Sequence, residues 1–224
     1  MPKTSTRSGS IITTIKERVI SWQYPPEHRL TEEALCREFS VSRSPVREAL
    51  RVLTSNGFVK RMANRGYAVR QINLREIEEI YDLRLALELY AVETLSHRAA
   101  PEDALTALRQ TWEAVYKAPE THTGEDLAEL DTLFHEALVV LVGNESLLKE
   151  VRAINERLFV FRMIDFGATN RAASTCVQHL EILDRIAAKD ADGARAAMRK
   201  NVEEGRNNVH ATFKEALVRA YANL

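Results

Sequence analysis

In the stretch VSRSPVREALRVL, residues 41–53, arginines stand at 43, 47 and 51. A spacing of four stacks side chains in one column of an α-helix. Like charges in a column repel one another, so a helix shaped for stability alone gains nothing from them. A guanidinium donates paired hydrogen bonds to guanine or clamps a phosphate, and the column therefore suits a polyanion. The alternative is a solvated charged face on which Glu48 offsets part of the charge. The same spacing recurs in DTLFHEALVVLVGNESLL, where Asp131 and His135 share a helix face and can bind one ion. His179 follows in QHLEIL on a later segment. A surface hydrogen-bonded pair has that spacing too. A third candidate is Arg84, set among apolar and acidic residues in IYDLRLALELY. It suits a buried carboxylate ligand, or an ion pair with Glu88 four residues on. Histidines 28, 97, 122 and 210 show no ligand spacing.

The elements that must position these residues differ between the two ends of the chain. Residues 1–70 carry 13 Lys/Arg against 6 Asp/Glu, and residues 71–224 carry 18 against 26, so a net charge of −1 conceals a +7 front and a −8 back. A basic front suits a polyanionic partner. Residues 1–10 are polar and predicted disordered. Ile12, Ile15 and Val19, with Ile11 and Trp22 beside them, mark a helix face over roughly 10–22, and Pro25-Pro26 end it. Thr31 suits the N-cap of a second helix with Glu32 and Glu33 in its first turn. Ser42 suits the cap of a third, with Pro45 in its first turn; Val46, Leu50 and Leu53 mark its buried face and Gly57 closes it. FVKRM and GYAVR then read as two short strands joined by ANRG. Three helices and a β-hairpin over residues 11–72 describe a winged helix-turn-helix. The second helix of such a pair enters the major groove at its N-terminal end, where Arg43, Ser44 and Arg47 stand; Arg51, a turn further on, faces backbone or solvent.

After residue 73 the pattern is helical throughout. Asn73 suits the cap of a long helix from Leu74, and further helices are expected at roughly 101–116, 124–142, 146–166, 170–189 and 191–222. Residues 73–224 thus form an all-α bundle, and the fold class is mainly α. Cys36 and Cys176 are far apart and read as free thiols in a reducing compartment. No apolar signal-peptide core opens the chain and no run approaches the ~20 apolar residues of a membrane span, so a cytosolic protein is predicted.

The run LTEEALCREFSVSRSPVREALRVLTSNGFVKRMANRGYAV resembles the DNA-binding domain of the GntR family of bacterial transcription regulators. That resemblance implies operator contacts by Arg43, Ser44 and Arg47, with Gly66 entering the minor groove at the wing tip beside Arg65. Pro25-Pro26-Glu27 stands where many members have Pro-Gly. IYDLRLALE, DTLFHEALVVLVGNESLL, QHLEIL and DADGARAAM together resemble the FCD effector-binding domain of the FadR-type subfamily. This second resemblance implies a divalent metal held by one Asp and three His, with a small carboxylate effector beside it. Asp131, His135 and His179 match the first three ligands. The fourth position, three residues after Met198, is Asn201 rather than His. An amide oxygen suits Mg²⁺ or Ca²⁺ better than Zn²⁺ or Ni²⁺, and three outcomes stay open: a harder or weaker metal, a shell completed by water, or no metal.

The sequence therefore predicts a homodimeric DNA-binding regulator, commonly a repressor, that reads a palindromic double-stranded operator. A small organic acid held by the bundle, with Arg84 as a contact, is expected to modulate it. Three other readings compete with it, one of them a DNA-binding protein whose bundle is vestigial and blind to effectors. A metal-dependent hydrolase built on the Asp/His cluster lacks a Ser-His-Asp order, a phosphate-binding glycine loop and an HExxH motif, and leaves the basic front unexplained. A metal-sensing regulator needs selective affinity, against which Asn201 argues.

Overall fold

The computed structural model describes residues 7–20, 23–63, 66–70, 74–98, 100–168 and 171–222, with backbone alone at 20, 160, 164, 168 and 212–222. Trp22, Asn64, Arg65 and Asn73 lie outside the described residues, as do residues 1–6 of the expected tail. The chain divides into two compact units, 1–73 with 214–224, and 74–213.

The first unit holds α1 (Arg7–Ile20), β1 (Arg29–Leu30), α2 (Glu32–Glu38), α3 (Arg43–Ser55), β2 (Val59–Arg61) and β3 (Tyr67–Val69). Helix α1 begins at Arg7, upstream of the expected start near 10. Its buried face is turned towards Ile11 and Ile15, with Ile12 and Val19 half-buried. Lys16 is buried on that face, with its ammonium 5.6 Å from the centroid of the Phe58 ring. The Thr31 hydroxyl accepts from the Ala34 amide at 3.1 Å and so caps α2. Ser42 occupies the N-cap position of α3 but makes no capping hydrogen bond, contrary to expectation. Val46, Ala49, Leu50 and Leu53 bury one side of α3 against the head's core. The expected hairpin forms between β2 and β3, with Lys60 opposite Ala68. An unforeseen strand joins it: Arg29 and Leu30 pair with Ala68 and Tyr67, giving the antiparallel order β1-β3-β2. Two residues after a Pro-Pro turn are too few to show a strand period.

The second unit is helical. It comprises α4 (Leu74–Arg98), α5 (Glu102–Lys117), a 3₁₀ turn at Pro119–Thr121, α6 (Gly124–Val142), α7 (Glu145–Ala168), α8 (Arg171–Ala187) and most of α9 (Ala191–Ala222). These bounds fall within a few residues of the spans read from periodicity. Helix α6 packs along α7 and α5 along α8, while α4 touches α6, α7 and α8. Three helices packed around α4 make its inward face the natural seat of a shared site. At the start of α6, Thr123 and Asp126 form a reciprocal capping box, each side chain accepting from the other's backbone amide. Gly143 ends the same helix in the left-handed conformation that glycine takes without strain.

Helix α6 carries both Asp131 and His135, so its first turn is worth testing. Thr123→Ala is expected to lower unfolding free energy by about 1 kcal/mol in urea titration. An unchanged midpoint would mean that the capping box adds nothing to the bundle.

Candidate functional site

The chain presents two groups of functional candidates, one on the surface of the head and one inside the bundle. On α3, Pro45 in the first turn and the apolar face just described leave Arg43, Ser44, Arg47 and Arg51 exposed together. Arg47 Nε donates to Glu32 Oε2 of α2 at 2.9 Å. Gly66 has a φ of 116°, and its carbonyl accepts from the Met62 amide at 3.0 Å, closing the wing. Arg65 falls outside the described residues.

Inside the bundle, four helices each contribute to one buried cluster. Helix α4 supplies Tyr81, Arg84 and Glu88 at spacings of three and four, which place them on one face. Helix α6 supplies Asp131 and His135, α7 supplies Arg162 and α8 supplies His179; all are buried. The donor atoms of Asp131, His135 and His179 lie within 4.8 Å of one another. The Asp131 carboxylate divides its oxygens: Oδ1 faces His135 Nε2 at 3.7 Å and His179 Nε2 at 3.4 Å, and Oδ2 faces Arg162 Nε at 3.0 Å. The remaining guanidinium nitrogens of Arg162 donate to Thr132 Oγ1 at 2.8 Å and Asn155 Oδ1 at 2.9 Å. Arg84 Nε donates to Glu88 Oε1 at 2.8 Å, and Glu88 Oε2 lies 2.7 Å from His135 Nδ1, off the line of a good hydrogen bond.

Charge in this cluster is set by burial and by its neighbours. Burial works to raise the Glu88 pKa, yet Arg84 and then His135 bring it down to about 2. Asp131 is likewise held well below the usual carboxylate range: His135 and Arg162 outweigh the larger opposing effect of burial. Burial, followed by the like charge of Arg84, pushes Arg162 below its ordinary value. His179 falls to about 4, chiefly by burial, with Asp131 acting the other way. Its imidazole is therefore neutral at pH 7, the form that ligates metals. That ring is fixed by aromatic neighbours, stacked on Phe134 at 3.8 Å and meeting Trp112 edge-on at 4.2 Å.

These residues fit a divalent cation at three positions. Both His135 Nε2 and His179 Nε2 are buried without a hydrogen-bond partner among the described residues, and Asp131 Oδ1 faces them. Glu88 behind His135 Nδ1, and Arg162 behind Asp131 Oδ2, are the outer groups that orient metal ligands. Asn201, the fourth candidate, is buried on α9 and its Nδ2 donates to Gln178 Oε1 at 2.9 Å. Gln178 Nε2 in turn donates to Glu204, an acceptor that Arg171 Nη1 also holds at 2.8 Å. The carboxylate thus dictates both amide orientations and leaves Asn201 Oδ1, a hard oxygen donor, as the atom available to a ligand. Among the described residues, the Asn201 partner Gln178 stands next to His179 on α8.

Arg84 Nη2 is buried and has no hydrogen-bond partner among the described residues. The sequence singled out Arg84 but missed Arg162, which sits in FVFRMIDF with no carboxylate at helical spacing before Asp165 to mark it. It also treated Glu88 only as a partner for Arg84, although Glu88 joins Arg84 to His135. Trp112 and Phe134 carried no signal beyond ordinary core residues.

Residues 79–204 match the FCD domain family, and residues 7–69 match the family described as bacterial regulatory proteins, gntR family. The Nta operon transcriptional regulator of Aminobacter aminovorans is 32% identical over 202 residues, 90% of this chain and 94% of that relative. The gluconate operon transcriptional repressor of Bacillus licheniformis is 34% identical over 134 residues, 60% of this chain and 54% of the relative. Among solved structures, E. coli McbR/YncC covers 93% of this chain and 99% of its own with a TM-score of 0.66 at 20% identity, a likeness of fold.

The buried ion pairs make a direct test of the cluster. Glu88→Ala strands the Arg84 charge in the core, and a loss of about 3–5 kcal/mol is expected in denaturant unfolding. A loss under about 0.5 kcal/mol would mean that Arg84 reaches solvent or another acceptor.

Proposed function

Because the chain belongs to the GntR family of bacterial regulatory proteins and carries an FCD domain, we propose that α3 and the wing bind an operator in double-stranded DNA, and that a small carboxylate in the bundle sets operator affinity. GntR regulators with this second domain are transcriptional regulators, and the proposal assigns the Asp131/His135/His179 cluster to ligand binding rather than to hydrolysis. The observation that carries the effector half is the Arg84 guanidinium, whose Nη2 is buried, charged and without a hydrogen-bond partner among the described residues. A donor of that kind costs free energy until an acceptor arrives, and a carboxylate is the acceptor that best matches it.

The net charge of the cluster supports the same reading. Arg84 and Arg162 balance Glu88 and Asp131, so an incoming anion and an incoming cation each disturb the balance, whereas the two together preserve most of it. A divalent ion held by Asp131, His135 and His179, with Asn201 Oδ1 as the candidate fourth donor, would supply a fixed positive charge for the effector's carboxylate. Arg84 then binds and orients the acid, while Glu88 holds His135.

At the operator, Arg43, Ser44 and Arg47 contact base edges and phosphates from the N-terminal half of α3, and Arg51 the backbone. Arg65 and Gly66 belong to the wing's contact with the minor groove. Two copies of the chain read two half-sites about 34 Å apart, which suits a palindrome and a homodimer. Effector binding shifts the population of DNA-competent arrangements, and relief of repression is the direction proposed. The protein acts in the cytoplasm; separately, no helix among the described residues is long and apolar enough to cross a membrane.

Arg47→Ala is expected to abolish the DNase footprint on an operator selected from random duplexes while leaving helicity unchanged by circular dichroism. A footprint that persists at the same site would remove α3 from the recognition surface. In the bundle, Asn201→His is expected to raise Zn²⁺ and Ni²⁺ affinity relative to Mg²⁺ by calorimetry. An unchanged ranking would separate position 201 from the three-residue cluster.

A further inference from the structure

Of the three arginines in the α3 column, Arg47 alone has a recorded carboxylate partner among the described residues. That partner, Glu32, is the first residue of α2, fixed where the chain turns out of β1 by the Thr31 cap. The other acidic side chains of α2 point to different partners, Glu33 to Arg37 at 3.9 Å and Glu38 to Arg18. The contact to Arg47 is a hydrogen bond of good length from Nε, and Glu32 is the less exposed partner, at 30% against 60% for Arg47.

A guanidinium has two donating edges, one containing Nε and one formed by the terminal nitrogens. With Nε committed to Glu32, the Nη1/Nη2 edge is the one left to face a ligand. That edge matches the O6 and N7 acceptors of guanine. A carboxylate in a DNA-binding surface is otherwise unfavourable, because it repels phosphates. We infer that Glu32 is a positioning residue: by holding Arg47 through Nε, it presents the other edge of the guanidinium to base edges and trades general DNA affinity for sequence discrimination. This rests on the reading of α3 as the recognition helix. It adds that the specificity of the surface depends on an acidic residue of the helix before it.

The two roles open to Glu32 predict opposite signs. A mere surface carboxylate, or one that sequesters Arg47 from DNA, weakens all binding, so its removal strengthens operator and non-operator binding alike. A positioning carboxylate gives up specificity when removed. The experiment measures affinities of the full chain for an operator selected in vitro from randomised duplexes by the wild-type protein, and for poly(dI-dC), at one fixed salt concentration. For Glu32→Ala the expected result is operator binding weaker by about tenfold, the scale of one lost bidentate base contact. Binding to poly(dI-dC) is expected to be unchanged or stronger by about twofold through the lost negative charge. Glu32→Gln keeps an acceptor for Nε without the charge, and it should recover most of the discrimination while showing the same gain on poly(dI-dC). Both variants are checked for helicity and melting temperature, and if the alanine protein is not folded the glutamine protein and Glu32→Asp carry the comparison.

Operator affinity that rises with non-operator affinity in the folded variants overturns the proposal. Equal loss on both DNAs overturns it as well. Arg47→Ala is run beside them. If that variant keeps full operator affinity, the recognition-helix reading itself has failed; if it loses specificity and the Glu32 variants do not, only the positioning role has.

Discussion

Arg84, Glu88, Asp131 and Arg162 share the interior of the helical unit, and much of its arrangement follows from keeping them paired. A buried guanidinium without a counter-charge is among the costliest things a core can hold. Arg84 therefore stands four residues from Glu88 on α4, and Arg162 reaches from α7 to Asp131 on α6. His135 ties the pairs together, with Glu88 on one ring nitrogen and Asp131 facing the other. Such pairs rarely add stability over an apolar core of the same volume. Their presence in the centre of this bundle is better explained by what they leave unsatisfied among the described residues, the Arg84 Nη2 nitrogen and several imidazole nitrogens.

The two units use charge in opposite ways. In the head, arginines project from one face of α3 into solvent while Val46, Leu50 and Leu53 anchor the other, so affinity for a polyanion costs the fold little. In the bundle, the charges sit where solvent cannot compensate them, which makes each interaction stronger and each vacancy costlier. The first arrangement suits an extended ligand reached from outside. The second suits a small one that replaces solvent completely. A regulator of the GntR and FCD families needs one of each.

Much of this was legible in the sequence, for physical reasons that differ by residue. The helix-turn-helix showed because period, caps and prolines are local signals: Thr31, Pro45 and Gly57 each act within one turn. Ser42 stands at the cap position the sequence marks, but whether its side chain also makes the capping hydrogen bond is something no local pattern reveals, and here it does not. Strand β1 was missed because two residues carry no alternation. Asp131 and His135 were visible as a pair from their spacing, and Arg84 from its apolar setting. Arg162 was not, since its partner Asp131 lies on another helix, far upstream in the sequence. The Phe134 and Trp112 rings that fix His179 are likewise ordinary core residues until the helices are packed. Asn201 was legible as a departure from a motif, but the chain of acceptors that turns its amide, through Gln178 to Glu204, exists only in three dimensions.

We propose that the buried cluster holds a small acid together with a cation. Native mass spectrometry of gently purified protein, with elemental analysis of the same sample, tests it most directly. The expected result is a chain mass increased by a divalent metal and a small carboxylate, with the acid lost in Arg84→Met and the metal lost in Asp131→Asn. A bare chain, whose melting temperature responds neither to divalent ions nor to small carboxylates added at millimolar concentration, would contradict it.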